Sequence, residues 1–271
     1  MRSRPLSIFL CLFVGPFLFA QSIGQDSVKK IIKATPAFSI LKDNYLITGI
    51  PFDRAVSNET SDIKYQVSLQ QRLTNAVLPY NTYLSFVYTQ LAFWNAYAAS
   101  SPFAELNFNP GMSLSRLFFR KKKLIGSGVL LVEHQSNGKA GMESRSWDDI
   151  ALQYSFSAHE RLKIIAKGWI PFSYRDDNPD LLSYIGYGEL KGTLLIQKEK
   201  LHMDIWMRKG TSLDWRGSVQ MQLYYKPFKS DNQYLMLQWY EGYAENLLHY
   251  NESTSMIRIG ILVKATNWGF Y

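Results

Sequence analysis

Cysteine is almost absent from this chain of 271 residues, which contains only Cys11. That residue lies inside an apolar run, Leu6–Phe19, which follows two arginines and is followed by Ala20. A basic start, an apolar stretch and a small residue make up a secretory signal peptide, so we assign residues 1–20 to one. The mature chain is then free of cysteine, which excludes a thiol nucleophile, a disulfide framework and a thiolate metal site.

Long apolar runs are also missing. Beyond residue 20, no stretch approaches the roughly 18 uninterrupted apolar residues of a membrane helix. Nevertheless, 46% of the residues are hydrophobic and 15% are aromatic. The chain is therefore either soluble or crosses a membrane as strands in which alternate residues are polar. No linker divides it, and its length suits one barrel or sandwich domain.

A concentrated basic patch is the third absence. Removal of Arg2 and Arg4 lowers the formal net charge of +8 by two, to +6, and this excess is spread along the chain. The only run is Lys121–Lys123, which we interpret as a solvated turn. We therefore expect no nucleic-acid partner.

Alternation of apolar and polar residues with period 2 is what the chain has in abundance. In residues 62–73, Ile63, Tyr65 and Val67 share one face, and polar side chains occupy the other. The pattern returns in residues 201–208, 213–225 and 256–264. Twelve strands are predicted, at about 43–49, 62–73, 82–94, 108–118, 124–136, 146–157, 162–170, 181–197, 201–208, 213–225, 233–243 and 255–265.

The polar faces favour a barrel with a lumen. They are rich in opposite charges and glutamines, and tyrosines and tryptophans lie towards the strand ends, as in interfacial girdles. We predict an all-β fold, a 12-stranded antiparallel transmembrane β-barrel in the bacterial outer membrane, with both termini periplasmic. Residues 21–42 would form an N-terminal periplasmic extension and residues 43–271 the barrel domain. A soluble secreted β-sandwich binding protein is the alternative.

The stretch Glu133–Asp149 holds the parts of a serine hydrolase. His134 and Ser136 continue the apolar row of the fifth strand, and Asp148 begins the apolar row of the sixth. Polar groups on lipid-facing rows are costly, so they indicate function. We predict that Asp148 orients His134, that His134 takes the proton of Ser136, and that the Gly138 amide is an oxyanion donor.

At these residues the chain resembles the outer-membrane phospholipase A proteins of Gram-negative bacteria. The shared motifs, in the same order along most of the mature chain, are Tyr88-Thr89-Gln90, Ser100-Ser101-Pro102-Phe103, His134-x-Ser136-Asn137-Gly138, Ser144-Arg145-Ser146-Trp147, Asp177-Asn178-Pro179-Asp180 and Gly242-Tyr243. The resemblance implies a twelve-stranded barrel that hydrolyses the sn-1 and sn-2 acyl esters of membrane phospholipids and lysophospholipids. It also implies a homodimer with calcium (Ca²⁺) at the subunit contact.

The resemblance also implies the calcium ligands. These would be the Ser144 hydroxyl, the carbonyl of Lys139, and the carbonyl of Ser100 of the partner subunit. Oxygen ligands with retained waters suit this hard cation. Well-studied members of the family carry asparagine where this chain has Asp148; we expect a carboxylate to orient the imidazole equally well, so that activity survives.

The acidic residues Asp176, Asp177 and Asp180 form a turn cluster that could hold a cation, but we interpret it as a solvated turn. The rival to an enzyme is a catalytically silent outer-membrane barrel that acts as a pore or an adhesin.

Overall fold

The computed structural model describes residue 32 and residues 35–74, 78–120, 123–197, 200–227 and 232–265. The predicted signal peptide, residues 1–20, and most of the predicted extension, residues 21–42, lie outside the described residues. Within the described part, no helix combines the length and the apolar character that a bilayer crossing requires.

Thirteen strands and one short helix are the regular elements used below. The strands are β1 (Phe38–Ile40), β2 (Asn44–Pro51), β3 (Asp62–Arg72), β4 (Thr82–Trp94), β5 (Phe103–Arg120), β6 (Lys123–Ser136), β7 (Ser146–His159), β8 (Leu162–Phe172), β9 (Gly188–Gln197), β10 (Leu201–Lys209), β11 (Gly217–Tyr225), β12 (Gln233–Tyr243) and β13 (Ser253–Val263). The helix is α1 (Leu182–Ile185), and 3₁₀ turns cover Pro79–Asn81 and Gly141–Glu143.

Strands β2 to β13 form a closed, antiparallel barrel. Each pairs with the next along the chain, and β2 pairs with both β3 and β13, so the sheet has no free edge. The predicted twelve-stranded barrel is confirmed. The additional strand β1, which was not predicted, pairs with β3 at Phe38↔Gln71 beside the start of β2.

Two predicted strands begin too early. Residues 181–187 are not extended, because Leu181 and α1 turn inward and bury Tyr184 and Ile185. Likewise, β11 begins at Gly217, and residues 210–216 form the connection before it. In both cases the residues alternate as in a strand, but tertiary contacts at the end of the barrel determine the backbone conformation.

The connections differ between the two ends of the barrel. Six connections, 52–61, 95–102, 137–145, 173–187, 210–216 and 244–252, lie at one end and have 7 to 15 residues. At the other end, three of the five connections have only two or three residues. We call the first the long-loop end; it carries the predicted site residues.

The two faces of the wall match the alternation in the sequence. On β6, Leu130 and Val132 are exposed outward, whereas Val129 and Glu133 are buried inside. Inward-facing charges pair between neighbouring strands: Lys191 of β9 lies 2.8 Å from Asp204 of β10. The polar faces meet one another in the lumen, as predicted.

A buried ion-pair network links the connection 244–252 to the lumen. The carboxylate of Glu245 lies 2.8 Å from the Lys64 ammonium and 2.6 Å from the Arg258 guanidinium, which also binds Asp62 at 2.7 Å. Burial by itself would raise the pKa of Glu245, but the positive charges of Arg258 and Lys64 outweigh it and hold the pKa at about 2. This connection is therefore anchored inside the barrel.

Hydrophobic side chains fill the lumen at the long-loop end. Trp147 of β7 and Trp169 of β8 point inward and pack against Leu181, Tyr184, Ile185 and Tyr250. The two tryptophans belong to strands of the wall, and the other four residues belong to the connections 173–187 and 244–252. We call this cluster the mouth plug; it forms a buried core inside the lumen at the long-loop end.

Candidate active site

The outer wall presents Ser136 and His134 near the long-loop end. Both share the parity of Leu130 and Val132, whose side chains are 45% and 46% exposed on the apolar outer face. The neighbouring Glu133 faces the lumen and is buried. The predicted outward direction of these two side chains therefore agrees with the structure.

Strand pairing brings Asp148 to His134. The two residues are directly opposite each other in the β6–β7 register, and His134 Nδ1 lies 2.8 Å from Asp148 Oδ1. Asp148 also shares the outward parity of Ile150 and Leu152. Because a carboxylate only accepts hydrogen bonds, Nδ1 donates and Nε2 is left as the basic nitrogen of the neutral ring.

Ser136 is the last residue of β6, two positions beyond His134 on the same face. It lies opposite Ser146 on β7 and Phe108 on β5. Among the described residues, no hydrogen bond engages the Ser136 hydroxyl elsewhere. The period-2 geometry of the strand puts this side chain on the same outer face as His134.

Residues 137–145, which we call the site loop, start directly after Ser136. Gly138 has a φ of 68° there, a left-handed conformation that glycine adopts without strain. A Cβ at this position would meet a ring carbon of Phe108 at 3.1 Å. The backbone at Gly138 therefore requires glycine, both for its left-handed conformation and because a side chain would crowd Phe108.

The connection 173–187 holds the far side of the site loop. Asp177 Oδ2 accepts hydrogen bonds from the hydroxyls of Ser144 at 3.1 Å and Ser146 at 2.7 Å. The amide of the fully buried Asn178 donates to the Ser146 carbonyl at 2.6 Å. The solvated-turn interpretation is therefore wrong for Asp177, because residues distant in sequence supply its partners; the only signal was its place in the shared motif.

The charged side chain of Lys139 is paired with two carboxylates. Its ammonium lies 3.0 Å from the Glu143 carboxylate and 3.6 Å from the buried Glu105 carboxylate. These two acids neutralise the cation beside the site loop. Because the Lys139 ammonium is neutralised in this way, it repels a cation at the Lys139 carbonyl less strongly.

Ser100 lies on the connection 95–102, at the same barrel end as the site loop. It is exposed and has a φ of 62°. Within the described residues, no hydrogen bond joins it to Lys139 or Ser144.

The oxygens near the site loop fit a hard cation. Ser144 offers a hydroxyl beside the carboxylate of Asp177, 3.1 Å away, and Lys139 offers a carbonyl. In the part of the chain that the structure describes, no group of three or more His, Cys, Asp or Glu side chains could hold a metal ion. Hydroxyl, carbonyl and carboxylate oxygens together with water are the ligands that calcium accepts.

The sequence is similar to known phospholipase A1 proteins. The family model for phospholipase A1 matches residues 42–263. Phospholipase A1 of Escherichia coli K12 is 28% identical over 222 residues, which cover 78% of this chain and 73% of that protein. Phospholipase A1 of Salmonella typhimurium is 29% identical over 211 residues, which cover 74% and 69%.

Solved structures share the fold. Outer membrane phospholipase A from Escherichia coli superposes with a TM-score of 0.75 at 24% identity, covering 85% of this chain and all of that one. The Salmonella typhi outer membrane phospholipase dimer with bound calcium gives the same TM-score and identity and covers 90% and 99%. Since the family model spans most of the sequence and this fold agrees, the chain belongs to the phospholipase A1 family.

Proposed function

We propose that this protein is a calcium-dependent outer-membrane phospholipase that hydrolyses the sn-1 and sn-2 acyl esters of phospholipids and lysophospholipids. The observation that carries the proposal is the His134–Asp148 pair, 2.8 Å apart, beside Ser136 on the outer wall. Ionisable groups at the end of a lipid-facing row are costly unless they serve a function. An outward site also reaches a substrate that is itself the membrane.

The reaction proposed for this site uses the chain's own residues in two steps. The Ser136 Oγ attacks the ester carbonyl carbon while His134 Nε2 takes its proton. The Gly138 amide donates to the oxyanion, and such a donor is worth about 3 kcal/mol of barrier. His134 returns the proton to the departing lysophospholipid oxygen, and a water activated by His134 then hydrolyses the acyl-serine.

Asp148 has two roles in this scheme. Its hydrogen bond to Nδ1 holds the ring in the tautomer that leaves Nε2 basic. Its negative charge also stabilises the imidazolium that forms when His134 takes the proton. Neither role needs the asparagine found in well-studied members of the family.

Calcium would be held by the Ser144 hydroxyl, the Lys139 carbonyl and the carbonyl of Ser100 of the partner subunit. When bound, it would supply positive charge near the developing oxyanion. The Salmonella typhi relative is a dimer with bound calcium, which supports a homodimer here. The site loop would then be completed by the second copy, so that association gates activity.

The orientation in the membrane is part of the proposal. The long-loop end would face outward and both termini would be periplasmic, since outer-membrane barrels carry short turns on the periplasmic side. Residues 1–20 would be the signal peptide, residues 21–42 the periplasmic extension and residues 43–271 the barrel.

The alternative, a catalytically silent pore, conflicts with the mouth plug. Trp147, Trp169 and their neighbours occupy the long-loop end of the lumen. Liposomes that contain the protein are expected to show no conductance.

Release of fatty acid from phospholipid micelles tests the proposed function. We expect the refolded wild type to release fatty acid with calcium and to lose activity in EDTA, and the Ser136→Ala variant to be inactive. Ser127→Ala is the matched control, because Ser127 lies on the same strand but faces the lumen, where it bonds to Ser155. Full activity of Ser136→Ala would refute the mechanism, and indifference to EDTA would refute the calcium requirement.

A further inference from the structure

The buried side chain of Asn137 holds the site loop closed from within. Its exposed fraction is 4%, although it directly follows Ser136 at the rim of the barrel. Its Oδ1 accepts hydrogen bonds from the amides of Lys139 at 3.3 Å and Arg145 at 3.0 Å, and its Nδ2 donates to the Glu143 carbonyl at 2.8 Å. One amide side chain thus bonds three backbone groups of the same loop.

The backbone of Asn137 closes the loop as well. Its N–H donates to the Arg145 carbonyl at 3.0 Å, which joins the first and last residues of the site loop. Side-chain and backbone bonds together account for four contacts from this single residue. Hydrogen bonds to Asn137 therefore fix the backbone of the site loop at Lys139, Glu143 and Arg145.

These bonds flank every loop group that the proposed function uses. The Gly138 amide lies between Asn137 and Lys139, and the Lys139 peptide is anchored through its own N–H. Ser144 lies between Glu143, whose carbonyl is held, and Arg145, whose amide is held. The same side chain therefore orients the oxyanion donor and both calcium-ligand positions of the loop.

We infer that Asn137 is a positioning residue that couples the oxyanion amide of Gly138 to the loop oxygens of Lys139 and Ser144. This inference rests on the proposed function. The side chain does not touch the reacting atoms; it fixes the backbone that does. Asparagine suits the role because its amide presents an acceptor and a donor at once, whereas aspartate and leucine do not.

Three variants separate this role from general loop stability. Asn137→Ala removes all three side-chain bonds. Asn137→Asp keeps the acceptor for the two amides, but in its ionised form it turns an acceptor toward the Glu143 carbonyl. Asn246→Ala is the matched control, because Asn246 Oδ1 caps a backbone amide, that of His249 at 2.9 Å, on another connection of the same barrel end.

For Asn137→Ala, we expect kcat to fall about 100-fold or more, the scale of losing one oxyanion donor, with KM changed less than threefold. Calcium titration, followed by calorimetry as well as by activity, should show affinity lowered about tenfold or more, because the ligand oxygens are no longer held. Asn246→Ala should leave both quantities within threefold of the wild type. Heat-dependent mobility on gels should show a folded barrel for each variant.

The Asn137→Asp variant tests the bond to the Glu143 carbonyl separately from the two bonds to backbone amides. The Glu105 carboxyl of β5 and the Lys139 ammonium also face this side chain. Activity of the variant relative to wild type should rise as the pH is lowered, because a protonated carboxyl can again donate to the Glu143 carbonyl. A ratio independent of pH would count against the inference. So would an Asn137→Ala variant that keeps kcat and calcium affinity within threefold of wild type.

Parallel measurement of Ser136→Ala distinguishes failure of the positioning role of Asn137 from failure of the proposed function. If Ser136→Ala is inactive while Asn137→Ala is fully active, only the positioning role of Asn137 is wrong. If Ser136→Ala is active, the proposed function itself fails. Should Asn137→Ala fail to form a folded barrel, the Asn137→Asp pH ratio decides the question.

Discussion

Replacement of Asp148 is the sharpest test of the catalytic pair. Asp148→Asn keeps an oxygen that can accept from His134 Nδ1, and therefore the orientation of the ring, but it removes the negative charge. Asp148→Ala removes both. The comparison separates orientation of the imidazole from electrostatic stabilisation of its charged form.

The magnitudes follow from the geometry. The side chains of His134 and Asp148 are 45% and 27% exposed, so solvent screens their interaction. Unit charges about 4 Å apart interact by about 1 kcal/mol in water and about 4 kcal/mol near a protein surface. Taking the lower part of this range, about 1–2 kcal/mol, we expect Asp148→Asn to lose roughly 5- to 30-fold in kcat. Asp148→Ala should lose about 10³- to 10⁴-fold.

The assay is the initial rate of fatty-acid release from mixed phospholipid micelles at saturating calcium. Asp176→Asn is the control, because it removes one exposed acidic charge from the same barrel end without touching His134. If Asp148→Asn lost as much activity as Asp148→Ala, orientation by an amide would be insufficient and the reasoning would be wrong. An Asp148→Ala variant with more than a tenth of wild-type activity would exclude the pair from catalysis.

Two further predictions concern the site loop and the lumen. Gly138→Ala should lower kcat about 100-fold, whereas Gly141→Ala, which has a similar φ of 64° but nothing within 4 Å of its Cβ, should retain most activity; equal losses would contradict the role of the Gly138 amide. Because the pKa of Glu245 is lowered to about 2 in the folded barrel, its stabilisation is present above the unfolded value of about 4.3 and is lost as the pH falls towards 2. The thermal midpoint of wild type, measured by gel mobility, should therefore fall more steeply over this window than that of Glu245→Gln, and parallel curves would refute the ion-pair account.

Much of the wall could be predicted from the sequence. Alternation has a strict period in a strand, so Leu130, Val132 and His134 had to share one face once β6 was recognised. The same argument aligned Asp148 with Ile150 on β7. Direct pairing of His134 with Asp148 then needed only the hairpin register, which the structure provides.

The connections could not be predicted in this way. Leu181 and Tyr184 follow a pattern that a strand also satisfies, but they turn inward because the barrel mouth offers an apolar cavity to fill. The sequence around Asp177 predicts a solvated side chain, since its actual partners, Ser144 and Ser146, lie more than thirty residues away along the chain. Local sequence carries no information on such contacts.

The sequence by itself determined which side chains of the wall face outward and where most of the strands lie, because period-2 alternation is a local property of the chain. Tertiary structure alone decided how the lumen is plugged, how Glu245 is buried between Lys64 and Arg258, and how the connection 173–187 grips the site loop. The physical reason is that barrel closure brings distant segments together, and only there do buried polar groups find their partners.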